Sequence, residues 1–234
     1  MKTAVVIPTY NEAENLRPLA LEILALLPEA AIVVVDDASP DGTGGIADEL
    51  ARQTGRVHAI HRRGKLGLGS ANTAGIKFAL ERGAENIITM DADYSHHPRY
   101  LPTLLLGMDR VDVMIGSRYV PGGGLEHWPL HRRLLSKTAN WVSRLLLALP
   151  AKDSTAGLRC YSRRVFERVD PAAVKSEGYS YQEEMLFLIF KAGLRIGETP
   201  IIFADRVKGR SKISRKEVVK AVLTLIRLRW RGGR

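Results

Sequence analysis

The sequence predicts an α/β fold in which a mainly parallel sheet is covered by helices on both faces. Short runs with β-branched residues, too brief for helices, alternate with longer segments whose apolar residues recur at helical spacing. This alternation is typical of βαβ units, which bring parallel strands into one sheet. The 234 residues are 45% hydrophobic and 26% charged, which favours one domain with a core of ordinary size.

The amino-terminal half of the chain contains the alternating part of this pattern. Each predicted strand is a short and mostly apolar run, and each predicted helix lies between two such runs. The strands are predicted at Ala4–Ile7, Ile32–Val35, Val57–Ile60, Ile87–Met90 and Val113–Ile115. The helices are predicted at Glu12–Leu27, Ile46–Arg52, Ala71–Arg82 and Tyr100–Met108.

The alternation stops after the glycine triplet at residues 122–124. The later elements are a long helix at Leu130–Leu149, a loop at Asp153–Gly157, a helix at Gln182–Ala192 and a strand at Ile196–Phe203. We interpret this half as an elaboration of the same domain, because no repeat or low-complexity segment separates it from the first half. The predicted organisation is a single domain over residues 1–213, followed by a basic amphipathic helix and tail over residues 214–234.

Positive charge is concentrated at the carboxyl terminus. The formal net charge is +10, and residues 206–234 hold eleven basic residues against the single acid Glu217. Such a segment favours a localised anionic partner, which could be nucleic acid, anionic lipid or a phosphorylated substrate. Its apolar residues gather on one side at helical spacing, namely Val218, Val219, Val222, Leu225 and Ile226. Two alternatives stay open, a helix lying on a membrane surface and a terminal helix packed on the sheet.

Several classes of protein are disfavoured. The longest stretch without Asp, Glu, Lys or Arg is Leu66–Ile76, which is far shorter than the about 18 apolar residues of a membrane span. The amino terminus shows no signal peptide, so we expect a cytoplasmic protein. Neither a G-x-G-x-x-G motif after the first strand nor a P-loop is present, which disfavours dinucleotide dehydrogenases and P-loop NTPases. The lone Cys160 is interpreted as a small buried apolar residue.

Polar residues follow four of the predicted strands, at residues 8–12, 36–43, 91–93 and 116–119. Ligands of open α/β sheets bind beyond the carboxyl ends of the strands, so these residues are the candidate site. Asp91 and Asp93 can converge on one hard cation, and Mg²⁺ or Mn²⁺ held by few carboxylates completes its shell with substrate phosphates. The glycine-rich segment at residues 64–69 is either a turn into the next helix or a phosphate contact.

These motifs resemble a known family. The segments P-T-Y-N-E at 8–12, D-D-A-S-P-D-G-T at 36–43, D-A-D-Y-S-H-H-P at 91–98 and G-S-R-Y at 116–119 are similar to those of inverting family 2 glycosyltransferases of the GT-A fold. Within that family the likeness is closest to dolichol-phosphate (polyprenyl-phosphate) mannose synthases. It is sharpened by R-R-L-L-S-K-T-A-N at 132–140 and D-R-V-K-G-R-S-K at 205–212, and it extends over about residues 3–213.

The resemblance implies a role for each candidate residue. The nucleoside of GDP-mannose would contact Pro8, Tyr10, Glu12, Val35 and Asp37. The metal and diphosphate would meet Asp91, Ala92 and Asp93, with Ser95 as a third metal ligand where some relatives have Gln. Arg118, Arg206 and Lys212 would surround the donor diphosphate. The acceptor phosphate would be held by Arg118, Arg132 and Ser136. Asp91, Asp93 and Arg118 are therefore the residues expected to act in catalysis.

The implied reaction is an inverting transfer of mannose from GDP-mannose to a polyprenyl (dolichyl) monophosphate. The acceptor phosphate is already an anion at neutral pH, so its attack requires no strong protein base. Asp153, Glu183 and Glu184 are candidate polar groups near the acceptor, and none of them is assigned as a base. We expect the protein to lie on the cytoplasmic face of a membrane, and anchoring by a membrane partner protein stays open.

Two rival functions differ from this hypothesis. Another family 2 enzyme could move a different sugar, such as glucose, onto the same lipid, and a single sequence does not resolve the two. A nucleic-acid-binding domain could use the basic tail, but acidic strand ends would repel phosphates unless a cation intervenes. We therefore expect no nucleic-acid partner.

Overall fold

The computed structural model describes residues 1–176, 178–204 and 224–230. The strands are β1 (Thr3–Thr9), β2 (Ala30–Asp36), β3 (Val57–His61), β4 (Asn86–Thr89), β5 (Val113–Ser117), β6 (Gly124–Glu126), β7 (Arg159–Ser162), β8 (Ile196–Pro200) and β9 (Ile202–Ala204). The helices are α1 (Ala13–Leu26), α2 (Thr43–Thr54), α3 (Leu68–Glu81), α4 (Leu101–Gly107), α5 (Leu130–Leu147), α6 (Arg163–Arg168) and α7 (Tyr179–Lys191), with short 3-10 turns at Pro98–Tyr100 and Pro171–Ala173.

Seven strands form the central sheet in the order β3-β2-β1-β4-β7-β5-β8. All neighbours run parallel except β7, which is antiparallel to both β4 and β5. Strands β6 and β9 form a separate parallel pair. The carboxyl ends of β1, β2, β4 and β5 therefore lie along one edge, which is the edge where open α/β sheets bind ligands.

Helices cover both faces of the sheet. Along β1, Val5 and Ile7 belong to the apolar cluster that includes α1, α2 and α4, whereas Ala4 and Val6 belong to the cluster that includes α3. Because successive strand residues point to opposite faces, both faces must be apolar, and β1 and β2 are therefore continuous hydrophobic runs. A third cluster joins β5 to the end of α5, α6 and α7.

The structure confirms the α/β prediction and the single domain. The five alternating strands and four intervening helices of the first half are all present, each with a boundary within a few residues of the prediction. The long helix and the loop after it are also confirmed, as α5 and residues 153–157. Helix α7 begins at Tyr179, earlier than the predicted Gln182.

The sequence interpretation missed one strand of the sheet and merged two others. Strand β7 was not predicted, because Arg159 at its start is a charged residue whose side chain is fully buried. The single strand predicted at Ile196–Phe203 is two strands, since β8 ends at Pro200 and β9 begins at Ile202. Proline cannot donate a ladder hydrogen bond, which favours the end of β8 at this position.

The predicted carboxyl-terminal helix is described only in part. Residues 224–230 are helical, and Leu225 and Leu228 are buried in the apolar cluster that contains α7. Ile226 and Trp230 are exposed. Packing against the domain is thus observed for two of its leucines. The rest of the predicted helix lies outside the described residues, as do Arg206 and Lys212.

Candidate active site

The ends of β1 and β2 bring together the residues predicted to hold the nucleoside. Pro8 and Val35 are direct partners in the parallel ladder between these strands. Tyr10 follows β1 with 37% of its surface exposed, and the Lys65 ammonium lies 4.0 Å from the centre of its ring. Glu12 is half-buried and accepts a hydrogen bond from the Asn15 side chain at 2.8 Å. The tyrosine ring is thus available for stacking next to a cation.

Most polar residues of the second motif fasten the two strand-end loops to each other. The Asp36 carboxylate accepts hydrogen bonds from the hydroxyls of Thr9 and Ser39. Asp41 accepts from the Ala13 backbone N–H and from both the backbone N–H and the hydroxyl of Thr43. Burial alone would raise the pKa of Asp41, but these hydrogen bonds hold it below its usual value. Asp36 and Asp41 therefore hold the two strand-end loops together.

Asp37 holds the glycine-rich segment in place. Its Oδ2 accepts from the backbone N–H groups of Leu66 and Gly67 at 3.0 and 3.1 Å, and its Oδ1 lies 3.2 Å from Arg62 Nε. The segment therefore forms the turn into α3 and places Lys65 over Tyr10, and its contact with a phosphate stays a prediction. The predicted contact of Asp37 with a nucleoside stays a prediction.

Two carboxylates and a hydroxyl lie together at the end of β4. Asp93 is 5% exposed, and its Oδ1 accepts from the Ser95 backbone N–H at 3.0 Å, whereas the Asp91 side chain is one-third exposed. The Ser95 hydroxyl is buried and has no hydrogen-bond partner among the described residues. A buried hydroxyl without a partner is costly unless something else satisfies it. This all-oxygen donor set fits a hard cation such as Mg²⁺ or Mn²⁺.

The protein side chains at the end of β4 do not by themselves complete the coordination shell of a metal ion. In the described part of the chain, no group of three or more His, Cys, Asp or Glu side chains is placed to hold a metal ion. A cation at Asp91 and Asp93 would therefore take its remaining ligands from water and from substrate phosphates, as Mg²⁺ commonly does. Ala92, predicted to touch the donor, is buried between the two carboxylates.

Arg118, at the end of β5, is held by a buried carboxylate. Asp153 is fully buried, and its oxygens accept from Arg118 Nε at 2.7 Å and Nη2 at 2.6 Å. The Arg118 backbone N–H also donates to Asp153, at 2.9 Å. Burial alone would raise the pKa of Asp153, but the charge and hydrogen bonds of Arg118 outweigh that effect and hold the pKa below its usual value. The guanidinium is thereby fixed in one orientation.

The loop at residues 153–157 connects this arginine to the β4 carboxylates. A Cβ added at Gly157 would lie 3.4 Å from Asp91 Oδ2, and the Gly157 carbonyl accepts from the Thr89 hydroxyl at 3.0 Å. At its other end, the backbone N–H groups of Lys152 and Asp153 donate to the Glu198 carboxylate. The predicted metal ligands and the predicted phosphate-binding arginine thus flank one anchored loop.

Helix α5 brings the predicted acceptor residues to the same region. The Ser136 hydroxyl accepts from the Tyr119 hydroxyl at 2.7 Å, and Tyr119 directly follows Arg118. Burial raises the pKa of Tyr119, so that hydroxyl stays protonated and can donate. Arg132 stacks on the Trp128 ring with its guanidinium carbon 3.8 Å from the ring centre.

The sequence interpretation missed Asn140, which joins α5 to the loop. The Asn140 Oδ1 accepts from the Ser154 and Thr155 backbone N–H groups, and its Nδ2 donates to the Thr155 hydroxyl. That hydroxyl in turn accepts from Arg118 at 2.7 Å. Asn140 is 2% exposed, and a polar residue in the R-R-L-L-S-K-T-A-N segment was the only signal of this role.

The three candidate polar groups of the carboxyl half have different surroundings. Asp153 binds Arg118, as described above, and Glu184 accepts from the Lys175 and Ser176 backbone N–H groups. Burial raises the pKa of Glu183 to about 7, with the Ser143 hydroxyl and the Arg159 charge acting in the opposite direction. All three are almost completely buried, which supports leaving the role of base unassigned.

The fold defines a class of protein, an α/β domain of the GT-A type. Solved structures with this fold include glucosyl-3-phosphoglycerate synthase from Mycobacterium tuberculosis in complex with Mn²⁺, UDP and its product, at a TM-score of 0.67 and 16% identity, covering 97% of this chain and 79% of that one. A mannosyltransferase from Pyrobaculum calidifontis in complex with GDP-Man and Mn²⁺ matches at a TM-score of 0.62 and 18% identity, covering 97% and 64%. At these identities the similarity concerns the fold alone.

The chain belongs to glycosyl transferase family 2, whose model matches residues 4–170. A polyprenol monophosphomannose synthase from Mycolicibacterium smegmatis is 46% identical over 233 residues, which cover 99% of this chain and 88% of that protein. An undecaprenyl-phosphate mannosyltransferase from Micrococcus luteus is 44% identical over 239 residues, which cover 100% of this chain and 98% of that protein. The resemblance found in the motifs is thereby confirmed at the level of the family.

Proposed function

We propose that this protein is a polyprenyl-phosphate mannosyltransferase, which transfers mannose from GDP-mannose to a polyprenyl monophosphate with inversion. The observation that carries the proposal is the pair Asp91 and Asp93 beside the Ser95 hydroxyl, which has no partner among the described residues, with Asp91 next to Gly157 and Arg118 held by Asp153 at the other end of the same loop. The names of the two relatives, a polyprenol monophosphomannose synthase and an undecaprenyl-phosphate mannosyltransferase, support the lipid acceptor and the sugar. A fold neighbour in complex with GDP-Man and Mn²⁺ supports the donor.

The donor would lie along the edge formed by β1, β2 and β4. Tyr10 offers a ring for the base, and Glu12 and Asp37 offer acceptors for base or ribose donors. Asp91, Asp93 and Ser95 would hold a divalent cation, which when bound neutralises the charge of the leaving diphosphate. Arg206 and Lys212 remain proposed diphosphate contacts on the strength of their motif alone.

The acceptor would be held by cations already placed at the other side of the site. Arg118 is fixed by Asp153, and Arg132 is fixed by Trp128, so both guanidiniums are oriented before a phosphate arrives. Guanidinium groups bind phosphate oxygens through charge-assisted hydrogen bonds. Because the acceptor phosphate is itself the nucleophile, orientation and charge neutralisation are sufficient, and no side chain has to remove a proton.

The described part of the chain contains no helix able to span a membrane. We propose contact with the cytoplasmic face of a membrane through α5, in addition to the basic carboxyl-terminal helix. Leu130, Leu134, Trp141 and Leu145 are 56 to 72% exposed and recur at helical spacing, so they form one apolar stripe. Arg133, Lys137 and Arg144 lie along one border of this stripe. An exposed apolar stripe with a basic border fits an anionic lipid surface.

Removing the apolar stripe should weaken membrane binding. We expect Leu134→Ser combined with Leu145→Ser to lower partitioning onto phosphatidylglycerol-containing vesicles by about thirtyfold, since each of the two leucines contributes about 1 kcal/mol when partly inserted. The measurement is vesicle co-sedimentation. Leu106→Ser on α4 is the matched control, because this leucine is 76% exposed on another helix. Equal binding of the double variant and the wild type would refute a role for α5 in membrane contact.

The activity itself is tested with a panel of donors. Purified protein, a detergent-dispersed short-chain polyprenyl phosphate and Mn²⁺ or Mg²⁺ are incubated with GDP-mannose, UDP-glucose or other nucleotide sugars. We expect transfer from GDP-mannose and a β-linked product, identified by the anomeric NMR signal, because a single displacement inverts the donor configuration. Preferential transfer from UDP-glucose would instead identify the rival sugar specificity, and no transfer from any donor would refute the proposal.

A further inference from the structure

A second polar feature lies between α5 and the anchored loop. It is an open cleft of about 220 Å³, and the residues that line it are Tyr119, Lys137, Asn140, Trp141, Arg144 and Lys152. The lining contains three cations and no carboxylate. None of these three cations forms an ion pair with a described residue, whereas Arg17, Arg164 and Arg195 on other parts of the surface do so. The cleft is therefore a positively charged concavity.

The cations of the cleft are placed by independent elements. Lys137 and Arg144 are seven residues apart, which returns to the same side of a helix after two turns. Lys152 comes from the loop, where its backbone N–H donates to Glu198 at 2.7 Å. Three cations that converge without an acidic partner repel one another, and an anion bound between them would relieve that repulsion.

The inner wall of the cleft leads to the proposed acceptor site. Tyr119 donates to the Ser136 hydroxyl, and Asn140 donates to the Ser136 carbonyl at 3.0 Å, so both lining residues touch the serine. Asn140 also reaches Arg118 through the Thr155 hydroxyl. On its outer side the cleft includes Trp141, which belongs to the exposed apolar stripe of α5. The charged head of an anion with an apolar tail would therefore fit the cations of the cleft, and its tail would fit the adjoining apolar stripe of α5.

We propose that this cleft binds the phosphate monoester of the polyprenyl acceptor on its way from the lipid surface to Ser136 and Arg118. This inference rests on the proposed function, and it adds Lys137, Arg144 and Lys152 to the residues that recognise the acceptor. The phosphate group contacts the three cations, while the first isoprene units lie against Trp141. None of the residues proposed to contact the donor nucleotide lines this cleft, so we expect the cleft to affect only the acceptor half of the reaction.

The test compares charge-removing variants in a membrane-free assay. We expect Lys137→Gln, Arg144→Gln and Lys152→Gln each to raise the KM for a detergent-dispersed short-chain polyprenyl phosphate by about fivefold to tenfold, since each removes a charge-assisted contact. The KM for GDP-mannose should not change. Lys77→Gln, an exposed lysine on α3, is the matched control and should leave both values unchanged. Titration of the polyprenyl phosphate into each protein without donor measures its Kd, and the variants can be compared with the wild type in this way without turnover.

The outcomes separate this inference from the proposed function. Wild-type turnover with an unchanged acceptor KM in all three variants would overturn the cleft proposal while the function stands. Loss of binding to anionic vesicles together with an unchanged acceptor KM would assign the cations to bilayer headgroups and would also overturn it. Absence of wild-type transfer would refute the function, and titration of the polyprenyl phosphate into wild-type and variant protein would then still decide whether the cleft binds this anion.

Discussion

Asp93→Ala is expected to lower kcat by about a hundredfold or more, which corresponds to about 3 kcal/mol of transition-state stabilisation. Asp93 is 5% exposed and lies beside a buried hydroxyl that has no partner in the described chain, so it is the more enclosed of the two carboxylates. Its loss would remove the fixed charge that holds a cation against the leaving diphosphate. The measurements are kcat over a range of Mn²⁺ concentrations and the Mn²⁺ Kd by electron paramagnetic resonance.

Two further variants separate metal binding from the local fold. Asp93→Asn keeps an oxygen that can accept from the Ser95 N–H, so it should retain the turn and still lose Mn²⁺ affinity. Asp109→Ala, on an exposed turn after α4, is the control for loss of one negative charge and should behave as wild type. Normal transfer by Asp93→Ala in saturating Mn²⁺ would show that the metal assignment is wrong.

Asp153→Ala is expected to destabilise the protein by about 3–5 kcal/mol, because it leaves the Arg118 guanidinium buried without its carboxylate. For a chain of this length the melting temperature should fall by about 6–20 °C. The pKa of Asp153 is held below its usual value in the folded state, so its contribution is present above the unfolded pKa of about 4 and is lost as the pH falls through the folded pKa. Thermal unfolding at neutral and acidic pH measures both effects.

A double variant separates the contribution of the Arg118–Asp153 pair to stability from its contribution to transfer. Replacing Arg118 with Met as well as Asp153 with Ala removes both buried charges, so stability should recover substantially while transfer stays lost. A melting temperature of Asp153→Ala equal to that of the wild type would contradict the energetic role of the pair. Recovery of transfer in the double variant would contradict the role of Arg118 as a phosphate contact.

The first half of the fold was predictable because each of its strands and helices can be recognised from the pattern of apolar residues within its own segment. Strands β1 and β2 are covered on both faces, so their burial requires the nearly continuous apolar runs that are visible in the sequence. Strand β7 was missed for the opposite reason. Its first residue, Arg159, is buried because three backbone carbonyls accept its hydrogen bonds, and those carbonyls come from residues 154, 156 and 182.

The site was predictable in its residue types and only partly in its contacts. The motifs identified Asp91, Asp93 and Arg118 as the charged groups, and the structure places Asp91 beside Gly157 and Arg118 against Asp153, at the two ends of one loop. They did not identify the partner of Arg118 or the exposed stripe of α5. Apolar residues at helical spacing are usually expected to face the core. The sequence alone therefore does not show that the apolar side of α5 is exposed, and only the structure does.

The sequence by itself determined the alternation of strands and helices and the family, because both depend on the order and spacing of residues along the chain. Only the tertiary structure decided that Asp153 neutralises Arg118, that Asn140 joins α5 to their loop, and that Lys137, Arg144 and Lys152 share a cleft. The physical reason is sequence separation. These groups lie on β5, α5 and a loop that meet only after the sheet has formed, and hydrogen bonds act over about 3 Å in space regardless of distance along the chain.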